Sequence, residues 1–183
     1  MPALYFMRHG ETRANVEGIL TGTIETPLTE KGIQAAKEVG ESLKETFDYY
    51  YCSPLTRTHE TLRAVRGDVP FIIDARLIEV CSGEWQGRLK ASLPEKEYQA
   101  YIKGEIDPPG GESLSQVTER AKAFLKDMFD GRYTKEDKIL IVTHNAFMRQ
   151  LKRLFIDPSQ VVIPKNLEVF TVTDDMYNHL FSR

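Results

Sequence analysis

Two histidines lie directly after apolar segments of the chain. His9 belongs to residues 8–12 (RHGET), and His144 is followed by Asn145. A guanidinium such as that of Arg8 binds phosphate or carboxylate oxygens through paired hydrogen bonds, and a glycine after the histidine lets a bulky anion approach the backbone. An imidazole can attack an ester or transfer a proton near neutral pH. Together these residues predict a site that binds an anion beside an imidazole, although either histidine alone is consistent with a structural role.

A third segment that could bind an anion covers residues 53–61 (SPLTRTHET). Ser53 suits the N-cap of a helix and Pro54 its first position, which predicts a helix with Arg57 about one turn in. The partly positive N-terminus of that helix and the guanidinium would together bind an anion. The alternative is an ordinary capped helix with a solvated arginine, and His59 is interpreted as a residue of the helix surface.

The elements that must hold these residues alternate along the chain. Short apolar runs predict strands at residues 4–7, 49–52, 71–73, 139–142 and 168–172. Apolar residues at steps of three and four predict helices within residues 33–43, 114–128 and 147–155. This order predicts an α/β fold, a three-layer α/β/α sandwich with a mostly parallel central sheet of about six strands. Such sheets bind ligands beyond the carboxyl ends of their strands, where His9 and His144 fall.

The chain is expected to form a single domain over residues 1–183. Glycines and prolines concentrate in residues 80–113, the least regular part of the sequence. We interpret this segment as a small cap over the site. Trp85, Arg88, Tyr98 and Tyr101 lie within it and would either line a pocket for the leaving group or pack the cap itself.

Composition excludes several classes of protein. Of 183 residues, 41% are hydrophobic and 28% charged, which is ordinary for one globular domain and excludes disordered, collagen-like and disulfide-rich chains. Lys and Arg number 24 against 27 Asp and Glu, a net charge of −3, so neither a nucleic acid nor a membrane is expected as a partner. A small molecule is expected instead.

The expected location is the cytoplasm, with reduced thiols. Cys52 and Cys81 are the two cysteines of the sequence, and its first residues lack the basic start and cleavage site of a signal peptide. No apolar run approaches the ~20 residues of a membrane-spanning helix. The sequence also lacks the His-x-His, His-Glu-x-x-His and Asp-x-Asp spacings that gather metal ligands, so neither a metal nor another cofactor is expected.

Several of these motifs occur together, and in this order they resemble the histidine phosphatase superfamily, also called phosphoglycerate-mutase-like. The resemblance covers nearly the whole chain. It is carried by residues 8–12, Asn15, residues 53–55 with Arg57 and residues 60–61, residues 77–87, residues 110–113 (GGES), and Thr143 with His144.

The resemblance implies a mechanism and roles for particular residues. His9 would attack phosphorus to form a phosphohistidine, while Glu79 would donate a proton to the leaving oxygen. The phosphoryl oxygens would be held by Arg8, Arg57 and His144, with further polar contacts from Asn15, Thr21 and Gly22. The arginines would also favour the neutral, nucleophilic form of His9. The resemblance therefore implies a metal-independent enzyme acting on a small phosphorylated metabolite.

Two features of the sequence leave the assignment of the acid and of the phosphate contacts open. Glu84 competes with Glu79, which we favour because its neighbours Ile78 and Val80 would shield it from water. Asn145-Ala146 replaces the Gly-Gly that often follows the second histidine, so that Asn145 would donate from its side chain instead. Gln86 also replaces a glutamate common in the family and lies outside the proposed acid-base pair.

The superfamily contains both phosphatases and mutases. Cofactor-dependent phosphoglycerate mutases are longer, with a larger insertion and a C-terminal tail over the site. The short cap predicted here offers little to exclude water from a phosphohistidine, which favours the phosphatase branch. The alternatives are a phosphoglycerate-type mutase and a non-catalytic module that recognises phosphate.

Overall fold

Strands and helices alternate along residues 2–181, the part of the chain that the computed structural model describes. The strands are β1 (Ala3–Arg8), β2 (Ile19–Leu20), β3 (Tyr49–Cys52), β4 (Ile72–Ile73), β5 (Arg88–Leu89), β6 (Lys138–Thr143) and β7 (Val169–Val172). The helices are α1 (Arg13–Glu17), α2 (Glu30–Ser42), α3 (Thr56–Arg66), α4 (Glu95–Lys103), α5 (Leu114–Met128), α6 (Asn145–Lys152) and α7 (Asp174–Phe181). Single turns of 3₁₀ helix cover Ala75–Leu77, Gly83–Trp85, Lys90–Ser92 and Pro158–Gln160.

The central sheet has the strand order β4-β3-β6-β1-β7. Neighbouring strands are parallel except for β7, which runs antiparallel to β1. The predicted α/β fold with a mostly parallel sheet is therefore confirmed, and each of the five predicted strands is present. The sheet has five strands rather than about six, because β2 and β5 pair with each other in a separate antiparallel ribbon.

Alternate residues of the inner strands build two apolar cores on opposite faces of the sheet. Leu4 and Phe6 of β1 pack with α5 and α6, whereas Met7 packs on the other face with residues of α2 and α3. In the same way, Ile139 and Ile141 of β6 alternate with Leu140 and Val142, which belong to the second core. Helices thus cover both faces, which explains why the buried strands read as continuous apolar runs.

Local sequence signals predict the boundaries of α5 but not the end of α6. Helix α5 covers the predicted residues because Ser113 caps it, its hydroxyl accepting from the Gln116 N–H while the Gln116 side chain accepts from Ser113. Helix α6 ends at Lys152, before the predicted residues Leu154 and Phe155. Both of these apolar side chains still pack against the first core, so the apolar period continues beyond the helical hydrogen bonds.

The predicted start of α3 is wrong. The helix begins at Thr56, and its N-cap residue Leu55 makes no side-chain hydrogen bond. Ser53 lies outside the helix. Its hydroxyl accepts from the Leu55 N–H at 3.2 Å and also hydrogen-bonds a buried histidine described below, so it does not cap the helix. His59 is half-buried rather than on the surface, and its ring lies against Phe71.

Residues 80–113 contain β5, α4 and two of the 3₁₀ turns. Trp85, Leu93 and Tyr101 are buried together there in a small apolar cluster separate from the two faces of the sheet. Within residues 2–181, no helix combines the length and apolarity needed to cross a bilayer.

Candidate active site

A polar cavity opens at the carboxyl ends of β1 and β6. These strands are neighbours in the sheet with Arg8 opposite Thr143, so the residues that follow them, His9 and His144, are brought side by side. Their ring centroids lie 5.3 Å apart. The lining residues are Arg8, His9, Asn15, Ile19, Leu20, Thr21, Gly22, Arg57, Glu79, Ser82, Lys90, Tyr98, Tyr101, Ile102, Asn145, Ala146 and Arg149.

His9 is held in one orientation and one tautomer. Its backbone N–H donates to the Thr143 carbonyl at 3.0 Å, and Nδ1 lies 2.7 Å from the Gly10 carbonyl. Because a carbonyl oxygen can only accept, Nδ1 carries the proton and Nε2 keeps its lone pair. The ring lines the cavity although the residue is only 4% exposed. This arrangement suits a nucleophilic nitrogen.

Burial and positive charge keep both histidines neutral. Burial lowers the pKa of His9 well below its ordinary value, and the nearby Arg57 and Arg8 guanidiniums lower it further. Burial also lowers the pKa of His144, with further contributions from Arg57 and from His9. A neutral imidazole is the form that can attack phosphorus, so the environment of His9 supplies the reactive form near neutral pH.

The depressed pKa values predict a pH-dependent stability. Unfolding returns both imidazoles to a pKa near 6.5, so below that pH the unfolded chain binds protons that the folded chain does not. The free energy of unfolding should therefore fall below about pH 6.5, by about 1.4 kcal/mol per pH unit for each histidine, or ~2.7 for both. Urea unfolding between pH 7.5 and 5.0 measures this slope.

One variant assigns the slope. His144→Gln should make it shallower, because it removes one of the two buried imidazoles. A stability that is flat between pH 6.5 and 5.0 in the unaltered protein would contradict the neutral burial of the two rings.

His144 is fully buried behind the cavity rather than in its lining. The Arg57 Nε donates to Nδ1 of His144 at 3.3 Å, so Nε2 carries the proton and donates to the Ser53 hydroxyl at 2.7 Å. The resemblance implied a direct contact with phosphate, but here both ring nitrogens contact protein groups. In this structure His144 supports Arg57 and packs against His9.

Arg57 is fixed by three protein acceptors and is only 1% exposed. Besides the bond to His144, its two terminal nitrogens donate to the Ile24 carbonyl at 2.8 Å and the Gly22 carbonyl at 2.9 Å. Since a guanidinium has five N–H groups, one remains on each terminal nitrogen. Burial lowers its pKa, while Glu79 raises it. A lysine could not reproduce this arrangement, because it lacks the planar fork.

Gln86 connects the turn at Thr21 and Gly22 to residues 80–113. Gly22 has a φ of +53°, and a Cβ there would lie 2.2 Å from Oε1 of Gln86, so a side chain is excluded on both counts. The same Oε1 accepts from the backbone N–H groups of Thr23 at 3.0 Å and Ser82 at 3.2 Å. Gln86 therefore stabilises one wall of the cavity.

Glu79 lines the cavity and its carboxylate is oriented by backbone donors. Oε2 accepts from the Ala146 N–H at 3.1 Å, and Oε1 accepts from Phe147 at 3.1 Å and from Val80 at 2.9 Å. Glu84 is exposed and outside the lining. The backbone after the second histidine thus holds a carboxylate, a use that the sequence did not predict. Asn145 is part of the lining.

Two cationic residues of the cavity were missed by the sequence analysis. Arg149 is 3% exposed, donates to the Ile102 carbonyl at 2.7 Å and lies 5.2 Å from the Tyr101 ring centroid. Burial lowers the pKa of Lys90, and Arg8 and Arg149 lower it further. Helical spacing gave a usable signal for Arg149, because position i+4 from Asn145 lies on the same face of α6.

The aromatic residues suggested for the leaving-group pocket divide between the two expected roles. Tyr98 and Tyr101 line the cavity. Trp85 packs behind them, with its ring centroid 5.7 Å from that of Tyr101, and Arg88 is exposed and donates to the Ser92 carbonyl. Trp85 therefore has the packing role, and neither Trp85 nor Arg88 is part of the cavity lining.

The cavity lining carries four cationic side chains and one carboxylate among the described residues. Residues 2–181 contain no cluster of three or more His, Cys, Asp and Glu side chains placed to hold a metal ion. Guanidiniums around the neutral ring of His9 suit the binding of an anion beside an imidazole nitrogen that keeps its lone pair.

Residues 4–166 match the family model of the histidine phosphatase superfamily (branch 1), and the chain belongs to this superfamily. It is 35% identical to an adenosylcobalamin/alpha-ribazole phosphatase of Salmonella typhimurium, over 81% of this chain and 76% of that protein. It is also 34% identical to a 2,3-bisphosphoglycerate-dependent phosphoglycerate mutase of Parvibaculum lavamentivorans, over 81% of this chain and 77% of the mutase.

A solved structure shares the fold. A mycobacterial glucosyl-3-phosphoglycerate phosphatase superposes with a TM-score of 0.84 at 24% identity, covering 94% of this chain and 93% of the other. The relatives thus include phosphatases and a mutase within one superfamily.

Proposed function

We propose that this protein hydrolyses phosphomonoesters through a covalent phosphohistidine on His9. The observation that carries the proposal is the fixed tautomer of His9, whose unprotonated Nε2 belongs to a ring lining a cavity with Arg8 and Arg57. The guanidiniums would bind the phosphoryl oxygens and disperse the charge of the transition state. Resemblance to phosphatases of the superfamily supports the same reaction.

In the first step, the lone pair of Nε2 attacks phosphorus while the bond from phosphorus to the ester oxygen breaks. Glu79 in its protonated form would give its proton to that oxygen, so that an alcohol leaves rather than an alkoxide. The carboxyl group lies in the cavity lining, held by the backbone at the start of α6. Positive charge on the phosphorylated ring is balanced by the phosphoryl oxygens it carries.

In the second step, water attacks the phosphohistidine and the bond between phosphorus and nitrogen breaks. The Glu79 carboxylate takes the proton from water, and the electron pair of the broken bond returns to Nε2. His9 is neutral again and inorganic phosphate leaves. No step requires a metal ion, because arginines perform the charge neutralisation.

The substrate class we propose is a small phosphorylated metabolite with further negative charge. Lys90 and Arg149 add positive charge beyond the two arginines assigned to the phosphoryl group, and Tyr98 and Tyr101 supply ring surface beside them. Residues 80–113, which contribute Lys90 and both tyrosines, would act as the cap that recognises the leaving group.

A mutase is the second candidate, because the chain is 34% identical to a phosphoglycerate mutase. The two reactions share the first step and differ in the acceptor of the second. In a phosphatase the acceptor is water, and in a mutase it is a hydroxyl group of a bound phosphoglycerate.

The expected result for the purified protein is steady release of p-nitrophenol from p-nitrophenyl phosphate, at a rate unchanged by excess chelator. A metal-dependent esterase would lose activity under these conditions, and a non-catalytic module would release none. With 3-phosphoglycerate, phosphate release should outpace formation of 2-phosphoglycerate, whereas faster isomerisation would establish the mutase. O-phosphoserine should be a better substrate than O-phosphoethanolamine, which lacks its carboxylate.

A further inference from the structure

A strained turn lies against the residues that carry His9. Residues 165–168 form the turn, closed by the Glu168 N–H donating to the Lys165 carbonyl at 3.1 Å. Leu167 has a φ of +64° and is the single non-glycine residue with positive φ among residues 2–181. A branched side chain is unfavourable in this conformation, so other contacts must hold the turn.

Those contacts are made with the last residue of β1. The Leu167 N–H donates to the Arg8 carbonyl, and the Arg8 N–H donates to the Glu168 carbonyl, both at 3.0 Å. The turn is thereby fixed relative to the strand that directly precedes the proposed nucleophile. Backbone strain that persists beside a reactive group indicates that the conformation serves the site.

The strained turn presents one side chain, Asn166, to the site. Its amide nitrogen donates to the His9 carbonyl at 2.9 Å and to Oδ1 of Asn15 at 3.2 Å. Asn15 Oδ1 also accepts from the Thr12 N–H at 3.1 Å. Two N–H donors thus contact the side-chain oxygen of Asn15. If the Asn15 amide were rotated by 180°, its NH₂ group would face both of these donors and could not accept from them.

We propose that Asn166 is a positioning residue for phosphoryl transfer. By engaging Oδ1 of Asn15, it directs the Asn15 NH₂ group at the phosphoryl oxygens in the cavity that Asn15 lines. The inference rests on the proposed function, because the phosphoryl group is the ligand that this donor would meet. The strain at Leu167 is the structural consequence of presenting Asn166 at this place.

The test is a double-mutant cycle between positions 15 and 166. Asn166→Ala and Asn15→Ala should each lower kcat/KM for p-nitrophenyl phosphate by roughly 10- to 100-fold, the scale of misplacing a reacting group. If Asn166 acts through Asn15, the double variant should be within a few-fold of the worse single variant. A structural role independent of Asn15 would instead make the two losses multiply, which would overturn the proposal.

Two further variants separate hydrogen bonding from shape. Asn166→Asp keeps the shape of the side chain but has no N–H donor and sets a carboxylate against two acceptor oxygens, so its loss should be at least that of Asn166→Ala. Lys165→Ala, at an exposed position of the same turn, should keep kcat/KM within about twofold, the level expected of a surface change. Full activity of Asn166→Asp would show that its hydrogen bonds do not matter and would overturn the proposal.

Affinity for inorganic phosphate gives a readout that needs no turnover. Calorimetric titration should show weaker phosphate binding by Asn166→Ala and Asn15→Ala, again with no further loss in the double variant. If the unaltered protein binds phosphate with this coupling but hydrolyses no ester, the positioning role stands and the proposed function fails. If it hydrolyses esters and the two positions show no coupling in either measurement, the positioning role fails alone.

Discussion

His9→Ala is expected to abolish hydrolysis of every phosphomonoester. The lone pair of Nε2 starts the covalent route, and His144, with both ring nitrogens hydrogen-bonded behind the cavity, offers no replacement. Losing a covalent nucleophile costs about 10⁶-fold in kcat in a well-studied hydrolase, which sets the scale expected here. Initial rates with p-nitrophenyl phosphate and with an alkyl phosphate measure the loss.

Trapping the intermediate identifies the nitrogen that reacts. The unaltered protein, mixed with labelled substrate and quenched in alkali, should retain a phosphoryl group that acid removes, as expected for a phosphoramidate. His9→Ala should retain none, and the control His179→Gln should retain as much as the unaltered protein. The unfolding transition and phosphate binding can be measured for each of these variants. These two measurements distinguish a folding defect from the loss of the reacting nitrogen. A label found on His144 would reverse the proposed roles of the two histidines.

Glu79→Gln should separate the two steps of the reaction. An alkyl phosphate needs a proton on its departing oxygen, whereas p-nitrophenolate leaves well without one. General acid catalysis is worth about 10²- to 10⁴-fold, so phosphoryl transfer from the alkyl ester should fall by that factor and transfer from p-nitrophenyl phosphate should fall far less. The amide of glutamine also cannot take a proton from water, so the second step should be slow with either ester.

Rapid mixing with p-nitrophenyl phosphate tests both effects at once. The variant should release a burst of p-nitrophenol equal to the enzyme concentration and then turn over slowly while phosphohistidine accumulates. Glu84→Gln is the matched control, because this exposed carboxylate lies in the same segment but outside the cavity lining, and its kinetics should be those of the unaltered protein. Equal losses on both esters without a burst would remove Glu79 from the acid-base role.

The fold could be predicted because the residues that specify each strand or helix lie within that element or next to it. Each inner strand is buried on both faces and therefore reads as an apolar run, and α5 carries both its period and its cap, Ser113. The positions of His9 and His144 followed from the same logic, since both come directly after strands. The number of strands in the sheet was less predictable. Two-residue strands such as Ile19–Leu20 are too short to show an apolar pattern that would indicate their pairing partner.

The partners of the site residues could not be predicted, because they depend on packing between distant segments. Ser53 has the residue type of an N-cap, yet its hydroxyl hydrogen-bonds His144, which is 91 positions away. Lys90 looks like an ordinary surface cation in the sequence, and the folding of residues 80–113 brings it to the cavity. Asn166 lies in an unremarked turn, and its contact with His9 appears only in three dimensions. The chemical roles of these residues stay predictions.

The pairing of β1 has a consequence for the order in which the molecule assembles. β1 lies between β6 and β7, and Ala3 is opposite Lys138, so both of its neighbours come from the last third of the chain. A ribosome makes β1 before either of these strands, so β1 has no sheet partner until residues beyond 137 have emerged. Closing so long a loop is entropically costly and slows folding, and an apolar strand that waits unpaired is prone to aggregation. The segment with His9 is thus made before β6 and β7 and, by this topology, is enclosed only after both have emerged.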